Sequence, residues 1–382
     1  MGAIYNMAKF TIAADMGFNA NSGCYSSFYS LGQMRRGVSI NVSTALIDDD
    51  PNGLHFLEAS QFYPPEKGYL ARRGWTLQER IMSRRILHCT EQGLIWECRR
   101  EKRCLAGILK DGPEGGSSIV HLTSADSASR RHAWYASVIP DYSGRKLTYS
   151  KDKLPAISAI AQAIGYNAMT TYMAGTWAED ISIGLAWERK KEELVDGERP
   201  NPNPQPSWSW ASHDFTVQWR GTSTAIHETS PEHAVKMHTL LSEESLQLVS
   251  NDPYRELRAP SLRIDCKLRR FKFSRTSGGS FVLFDRWLGT WKKNSWDRVI
   301  LDYPGDFMKS IMYLSLVPLL TPQKSHPSPE GCIYYCLVVR KTDSRQDEYE
   351  RVGIQIADLS DWPEECAKGW LELFEEKQIT LM

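Results

Sequence analysis

The stretch Arg73-Gly74-Trp75-Thr76-Leu77-Gln78-Glu79-Arg80, continuing through Arg85–Thr90 and Gly93–Cys98, constrains the fold more than any other part of the chain. Thr76-Leu77-Gln78-Glu79 has the Ser/Thr-x-x-Glu spacing of a capping box. In that motif the cap hydroxyl accepts an orphan amide and the glutamate reaches back to the cap. Trp75 precedes it, where an apolar side chain can staple against the first turn. Leu77 and Ile81 share a helical face, and Ser83-Arg84-Arg85 interrupts the pattern. Arg85–Thr90 then reads as a strand, Glu91-Gln92-Gly93 as a turn, and Leu94–Cys98 as the returning strand of a hairpin. A short helix feeding a hairpin implies a mixed α/β unit.

The chain has 382 residues, room for two or three domains. Lys+Arg and Asp+Glu each number 46, so the balanced charge argues against nucleic acid or an anionic membrane as a general partner. Lys267, Arg269, Arg270, Lys272 and Arg275 cluster locally. They interleave with Leu268, Phe271 and Phe273, which reads as a strand with a solvated basic face. No run of about 18 apolar residues occurs, and Ile311–Leu320, the longest, contains Ser315 and Pro318. The first residues show no secretory signal. The eight cysteines have no framework spacing, so reduced thiols in a cytoplasmic setting are expected.

Along the chain, Ile4, Met7, Ala8, Ile12 and Ala13 suggest a helix running into a buried segment. Ser39–Ile47 reads as a strand, and His55–Phe62 as a strand or helix end. Residues 112–118 are Gly/Ser-rich and read as a linker or surface excursion. Pro155 and the following Ala156–Ala163 mark a helix, and Tyr172–Leu194 reads as a second one. From about residue 235 the texture becomes alternating short strands, at 261–273, 280–285, 298–303, 311–319, 332–340 and 351–356, suggesting a sandwich-like β domain. The expected divisions are 1–100, 101–133, 134–234 and 235–382.

Three constellations could carry chemistry. Cys89, Cys98 and Cys104 with His88 lack the paired spacing of a zinc site, and alternation puts His88 and Cys89 on opposite strand faces. They read as packed thiols. Glu79, Glu97 and His88 could form an acid/base set if they converge in a pocket. Against this, Glu79 is the expected cap partner, and Arg80 can pair with Glu97. Trp208 and Trp210 could make a ligand-stacking platform, but sealing the helical part against the β-rich part is the simpler role. No nucleotide-binding loop, nucleophile elbow or metal helix occurs, so no catalytic residue, cofactor or metal is assigned.

The signature Gly74, Trp75, Thr76, Leu77, Gln78, Glu79 and Arg80, with Trp96, Glu97 and Cys98, resembles the fungal heterokaryon incompatibility (HET) domain family. The segments around Tyr5, Tyr142–Thr148, Asp152–Ala156, Ala174–Trp177, Pro206–Ser212 and Glu350–Gly353 resemble neighbouring parts of such proteins. The family's opening strand-and-Trp-Gly block and its Trp-Ile-Asp block have no counterpart here, so the resemblance implies the C-terminal half of that domain. It further implies a partial, TIR-like α/β fold followed by a helical segment and a β-rich C-terminal region. The implied function is non-self recognition and programmed cell death through protein partners, with a TIR-like NAD hydrolase as the alternative and a truncated remnant as a third.

Overall fold

The computed structural model describes residues 2–19, 21–24, 68–90, 93–98, 102–104, 107–109, 126–166, 170–190, 205–219, 236–237, 252, 254, 261–275, 281–284, 299–303, 311–320, 333–343, 347–358, 369–370 and 372–382. The regions read above as strand or helix end at 39–47 and 55–62, and the Gly/Ser-rich loop, lie outside these residues. Helices and sheets are mixed throughout. The chain divides into two compact units, one of residues 1–125 and 145–150, the other of residues 126–144 and 151–382.

The first unit begins with α1 (Gly2–Met7) and β1 (Thr11–Ala13). After the turn Leu70–Arg72 come α2 (Gly74–Met82), β2 (Arg85–Thr90), β3 (Gly93–Cys98), β4 (Lys102–Cys104) and β5 (Gly107–Leu109). These strands form one sheet in chain order. β1 runs parallel to β2, with Ala13 opposite His88, and the remaining pairs are antiparallel. Leu77 and Ile81 of α2 and Ile86 and Ile95 of the hairpin are buried. The apolar stripe of the first helix is not the buried face expected from its spacing. Ile4, Met7 and Ile12 are 68%, 81% and 56% exposed, because only Gly2 of α1 is buried.

The second unit opens with α3 (Ser127–Ala133), capped by the Asp126 carboxylate, which accepts from the Ser129 amide at 2.9 Å. It continues through a π-helical turn at Trp134–Val138 into α4 (Ile139–Ser143). Pro140 supplies the cause of that turn, since it lacks an amide and crowds the carbonyl four residues back. α5 (Ser158–Gly165) follows Pro155, as the sequence predicts. The expected second helix over Tyr172–Leu194 does not form across its described part. Instead β6 (Tyr172–Met173) and β7 (Thr176–Trp177) make a hairpin, followed by the single turn α6 (Ile181–Gly184) and β8 (Glu188–Arg189), which pairs with β9 (Val217–Gln218). Ala174 and Gly175 both have positive φ, 42° and 98°, so the chain reverses where a helix would have to continue. An added Cβ on Gly175 would sit 2.5 Å from the Trp210 indole nitrogen.

The β-rich part comprises β10 (Lys236–Met237), β11 (Leu262–Arg275), β12 (Phe281–Phe284), β13 (Val299–Leu301), β14 (Ile311–Leu320), β15 (Ile333–Lys341), β16 (Glu348–Asp358) and β17 (Glu375–Leu381). It is not the sandwich that the strand spacing suggested. β11 is long enough to pair with β17 through Leu262–Leu268 and with β14 through Arg269–Ser274. β14 pairs with β15, β15 with β16, and β16 with β17 in parallel, so the hydrogen-bonded path closes on itself. Along that path each strand has two neighbours, while β10, β12 and β13 each pair with one strand. Pro318 sits beside a register shift, where a proline is tolerated. On β11, Leu262, Ile264 and Cys266 are buried and Arg263 and Asp265 exposed. Of the expected basic face, Arg270 is exposed and Phe271 buried, whereas Lys267, Leu268 and Arg269 are all half-buried, and the side chains of Lys272, Phe273 and Arg275 lie outside the description.

Trp208 and Trp210 are 2% and 1% exposed, so no stacking platform is open to a ligand there. The indole N–H groups of Trp134 and Trp210 both donate to the Gly175 carbonyl at 2.9 Å, and that of Trp187 donates to the Trp208 carbonyl at 3.1 Å. Arg351 of β16 joins this aromatic region to the closed sheet. Its guanidinium lies 3.2 Å from the Trp187 ring centre, pairs with Asp302 at 3.0 Å and donates to the Leu185 and Trp187 carbonyls.

Candidate functional site: a buried carboxylate–imidazole clamp beside a small cleft

The signature residues lie in the first unit, and most of them fix α2 to its surroundings. Gly74 is the first residue of α2, and its amide donates to the Lys146 carbonyl at 2.8 Å. An added Cβ would meet Leu147 side-chain atoms at 2.5 and 2.8 Å, so glycine is required by close approach. The capping box is not formed. The cap position is Arg73, with no side-chain bond, and Thr76 is already inside the helix. Its hydroxyl donates to backbone carbonyls, that of Arg73 at 2.7 Å and that of Leu70, instead of accepting an amide. The Gly74 amide has its partner in the 145–150 segment, which supplies part of what a box would have provided. Trp75 is half-buried and lies inside α2, not at the position before the cap. Leu77 and Gln78 are 1% and 2% exposed. Trp96 and Cys98 are half-buried on β3, opposite Leu87 and Arg85 of β2.

Charge converges at His88. Its Nδ1 lies 2.8 Å from Asp15 Oδ2 and its Nε2 lies 2.9 Å from Glu97 Oε2. Ionised carboxylates only accept, so serving both requires a proton on each ring nitrogen. Arg80 Nη2 donates to the same Glu97 oxygen at 2.9 Å, and Lys102 Nζ lies 3.9 Å away. The His88 side chain is only 2% exposed. Burial opposes its charge, but the hydrogen bonds to Asp15 and Glu97 outweigh it and hold the imidazole pKa above its ordinary value. Burial likewise opposes ionisation of Glu97, yet His88, Arg80 and Lys102 bring its pKa down to about 2. The Arg80–Glu97 pair expected from the sequence is therefore present, within a larger network spanning the loop after β1, α2, β2, β3 and β4.

This network is not a metal site. Both imidazole nitrogens face carboxylates, leaving no lone pair for a cation. No group of three or more potential ligands suited to a metal ion is found among the described residues. His88 and Cys89 occupy opposite strand faces, and both are buried.

A cleft of about 90 Å³ opens beside the clamp, with Tyr5, Thr76, Glu79, Arg80, His88 and Arg145 among its lining residues. Glu79 lines this cleft and accepts from the Tyr5 hydroxyl. Partial burial, together with that carboxylate, pushes the Tyr5 pKa up. Arg145 donates to the Thr76 hydroxyl at 3.3 Å. The proposed acid/base trio is thus only partly assembled. His88 and Glu97 are bonded to each other, whereas Glu79 stands apart on the cleft wall. Asp15, the closest partner of His88, was not singled out from sequence. It lies 73 positions away, and no local spacing marks it.

Comparison with protein-family models, with curated proteins and with solved structures finds no match for this chain.

Proposed function

We propose that the chain is a heterokaryon-incompatibility-type signalling protein, acting through protein contacts in a fungal cytoplasm, with a TIR-like first unit. In this reading the 74–98 block is a scaffold. The observation that supports it is the clamp: Glu97, Arg80 and His88 are committed to one another and to Asp15. A protonated imidazole held between two carboxylates is a poor general base. Small-molecule and cofactor pockets usually run to about 300–1,000 Å³. A cleft of about 90 Å³ among the described residues accommodates a far smaller group.

The second reading, a TIR-like NAD hydrolase, draws support from one observation. Glu79 stands on the cleft wall beside the Tyr5 hydroxyl and outside the clamp. Two measurements separate the readings. Inducible expression in fungal hyphae, scored by vital-dye uptake, is expected to give death with both the native chain and Glu79→Ala. Purified protein incubated with NAD is expected to leave it intact. Absence of dye uptake at any expression level would sink the incompatibility reading. NAD turnover abolished by Glu79→Ala, with thermal unfolding unchanged, would replace it by the hydrolase.

A further inference from the structure

The cleft beside the clamp carries two opposite charges that the clamp does not use. Asp15 and His88 line it but bond to each other at 2.8 Å, and Arg80 lines it while donating to Glu97 at 2.9 Å. Glu79 and Arg145 are its remaining ionic lining residues, and both are half-buried. Thr76 and Glu79 are three residues apart on α2, which puts their Cβ atoms about 5–6 Å apart on one helix face. Arg145 belongs to the same unit, and its Nη1 donates to the Thr76 hydroxyl at 3.3 Å. The guanidinium is thereby held about one helical turn from the Glu79 carboxylate. No ion pair joins Glu79 to a cation among the described residues. Much of the remaining wall is apolar, with Ala13, Leu70 and Ile86 on it.

We propose that this cleft binds a small free α-amino acid, the size of glycine, alanine or serine, with its ammonium on Glu79 and its carboxylate on Arg145. The proposal rests on the scaffold reading of the clamp above, in which His88, Asp15, Arg80 and Glu97 are committed to one another. Size sets the first limit. At about 10–15 Å³ for each water-sized group, a cleft of about 90 Å³ takes about six to nine non-hydrogen atoms. That admits a small amino acid and excludes one with a long side chain. Charge sets the second limit. A phosphate or dicarboxylate would meet the Glu79 carboxylate, and a plain cation would meet the Arg145 guanidinium, with Arg80 and the protonated His88 also on the wall. A ligand bearing both charges on neighbouring carbons gives each of the two a charge-assisted hydrogen bond. A peptide terminus offers one of those charges without the other, so the free amino acid is the match. The apolar wall takes its small side chain.

The test titrates the purified full chain with L-alanine by isothermal calorimetry at neutral pH, beside methylammonium, acetate and L-leucine. L-Alanine is expected to bind saturably and to raise Tm. Methylammonium and acetate each lack one charge-assisted bond and are expected to bind about tenfold or more weakly. L-Leucine, too large for the cleft, is expected not to bind. Glu79→Gln keeps the side-chain shape and is expected to weaken L-alanine by a similar factor without weakening acetate. Arg145→Gln is expected to weaken L-alanine and acetate without weakening methylammonium. Thermal unfolding in the absence of ligand checks that each variant is folded. Absence of both saturable heat and a rise in Tm with L-alanine would overturn the proposal. So would acetate or methylammonium binding as tightly as L-alanine, or L-alanine affinity that survives Glu79→Gln in the folded variant. The comparison among probes uses the native protein alone, so it decides even where a variant fails to fold. Binding is read apart from dye uptake. Alanine binding without cell death would strike the signalling reading and keep this site, and cell death without alanine binding would do the reverse.

Discussion

His88→Ala tests the clamp most directly. The change leaves the Asp15 and Glu97 carboxylates without the imidazolium between them. Removing one member of a buried ionic network costs about 3–5 kcal/mol. Glu97 keeps Arg80 at 2.9 Å and Lys102 at 3.9 Å, so the loss falls mainly on Asp15, which is only 4% exposed. The lower end, about 3 kcal/mol, is the expected cost. For a unit of this size that corresponds to a fall in Tm of about 10 °C. The sign with pH follows from the two shifts. His88 has a raised pKa in the folded state, so its contribution is full below the unfolded value of 6.5 and is lost as pH rises through the folded one. Glu97 is depressed from 4.5 to about 2, so its contribution is present above 4.5 and fades as pH falls toward 2. The clamp therefore stabilises most between about pH 4.5 and about pH 6.5, and its contribution declines from there through the raised pKa of His88. Thermal unfolding of the native and variant chains should differ most near about pH 6 and converge at alkaline pH. A deficit that is constant from about pH 5 to about pH 9 would show that His88 acts by packing alone and would refute the ionic account.

Arg351→Met should destabilise the second unit by about 3 kcal/mol, because buried Asp302 then keeps only the His213 Nε2 at 3.9 Å as a partner among the described residues; pairing it with Asp302→Leu should restore much of the loss in urea unfolding. Gly175→Ala should cost about 2–4 kcal/mol in the same assay, since it combines a positive φ with a clash against Trp210, and a neutral outcome would mean that the Ala174-Gly175 turn is more adaptable than its geometry indicates.

What the sequence disclosed is local, and what it concealed is long-range or depends on backbone sign. The β2–β3 hairpin and the strands around 262–275, 333–341 and 348–358 announce themselves through alternation and turn residues within a few positions. The Arg80–Glu97 pair was also within reach, since a short helix followed directly by a hairpin leaves few places for either side chain to go. The region from Tyr172 misled for a physical reason. Trp177, Ile181 and Leu185 fall four apart, the spacing of a helical face, and all three are indeed buried. They belong to a hairpin and a single turn because Ala174 and Gly175 take positive φ, which apolar periodicity does not encode. Thr76 shows the same limit at a helix start. Its spacing to Glu79 fits a box, but the Gly74 amide was already bonded to Lys146, some seventy positions on.

Long-range pairing also decided the architecture and the site. The closed sheet depends on Leu262 meeting Leu381, and the clamp on Asp15 meeting His88. A buried ionised group needs a partner, so the sequence implied that something must face His88 once β2 was buried, without saying what. That requirement explains why the signature is polar where an apolar strand pair would have served. Asp15, His88, Glu97 and Arg80 each bond only at a defined angle and distance, so they fix the placement of the loop after β1, the hairpin and α2 more closely than interchangeable aliphatic contacts would. In this reading the motif works by holding three chain segments in one arrangement. Glu79 is the signature carboxylate left facing the cleft.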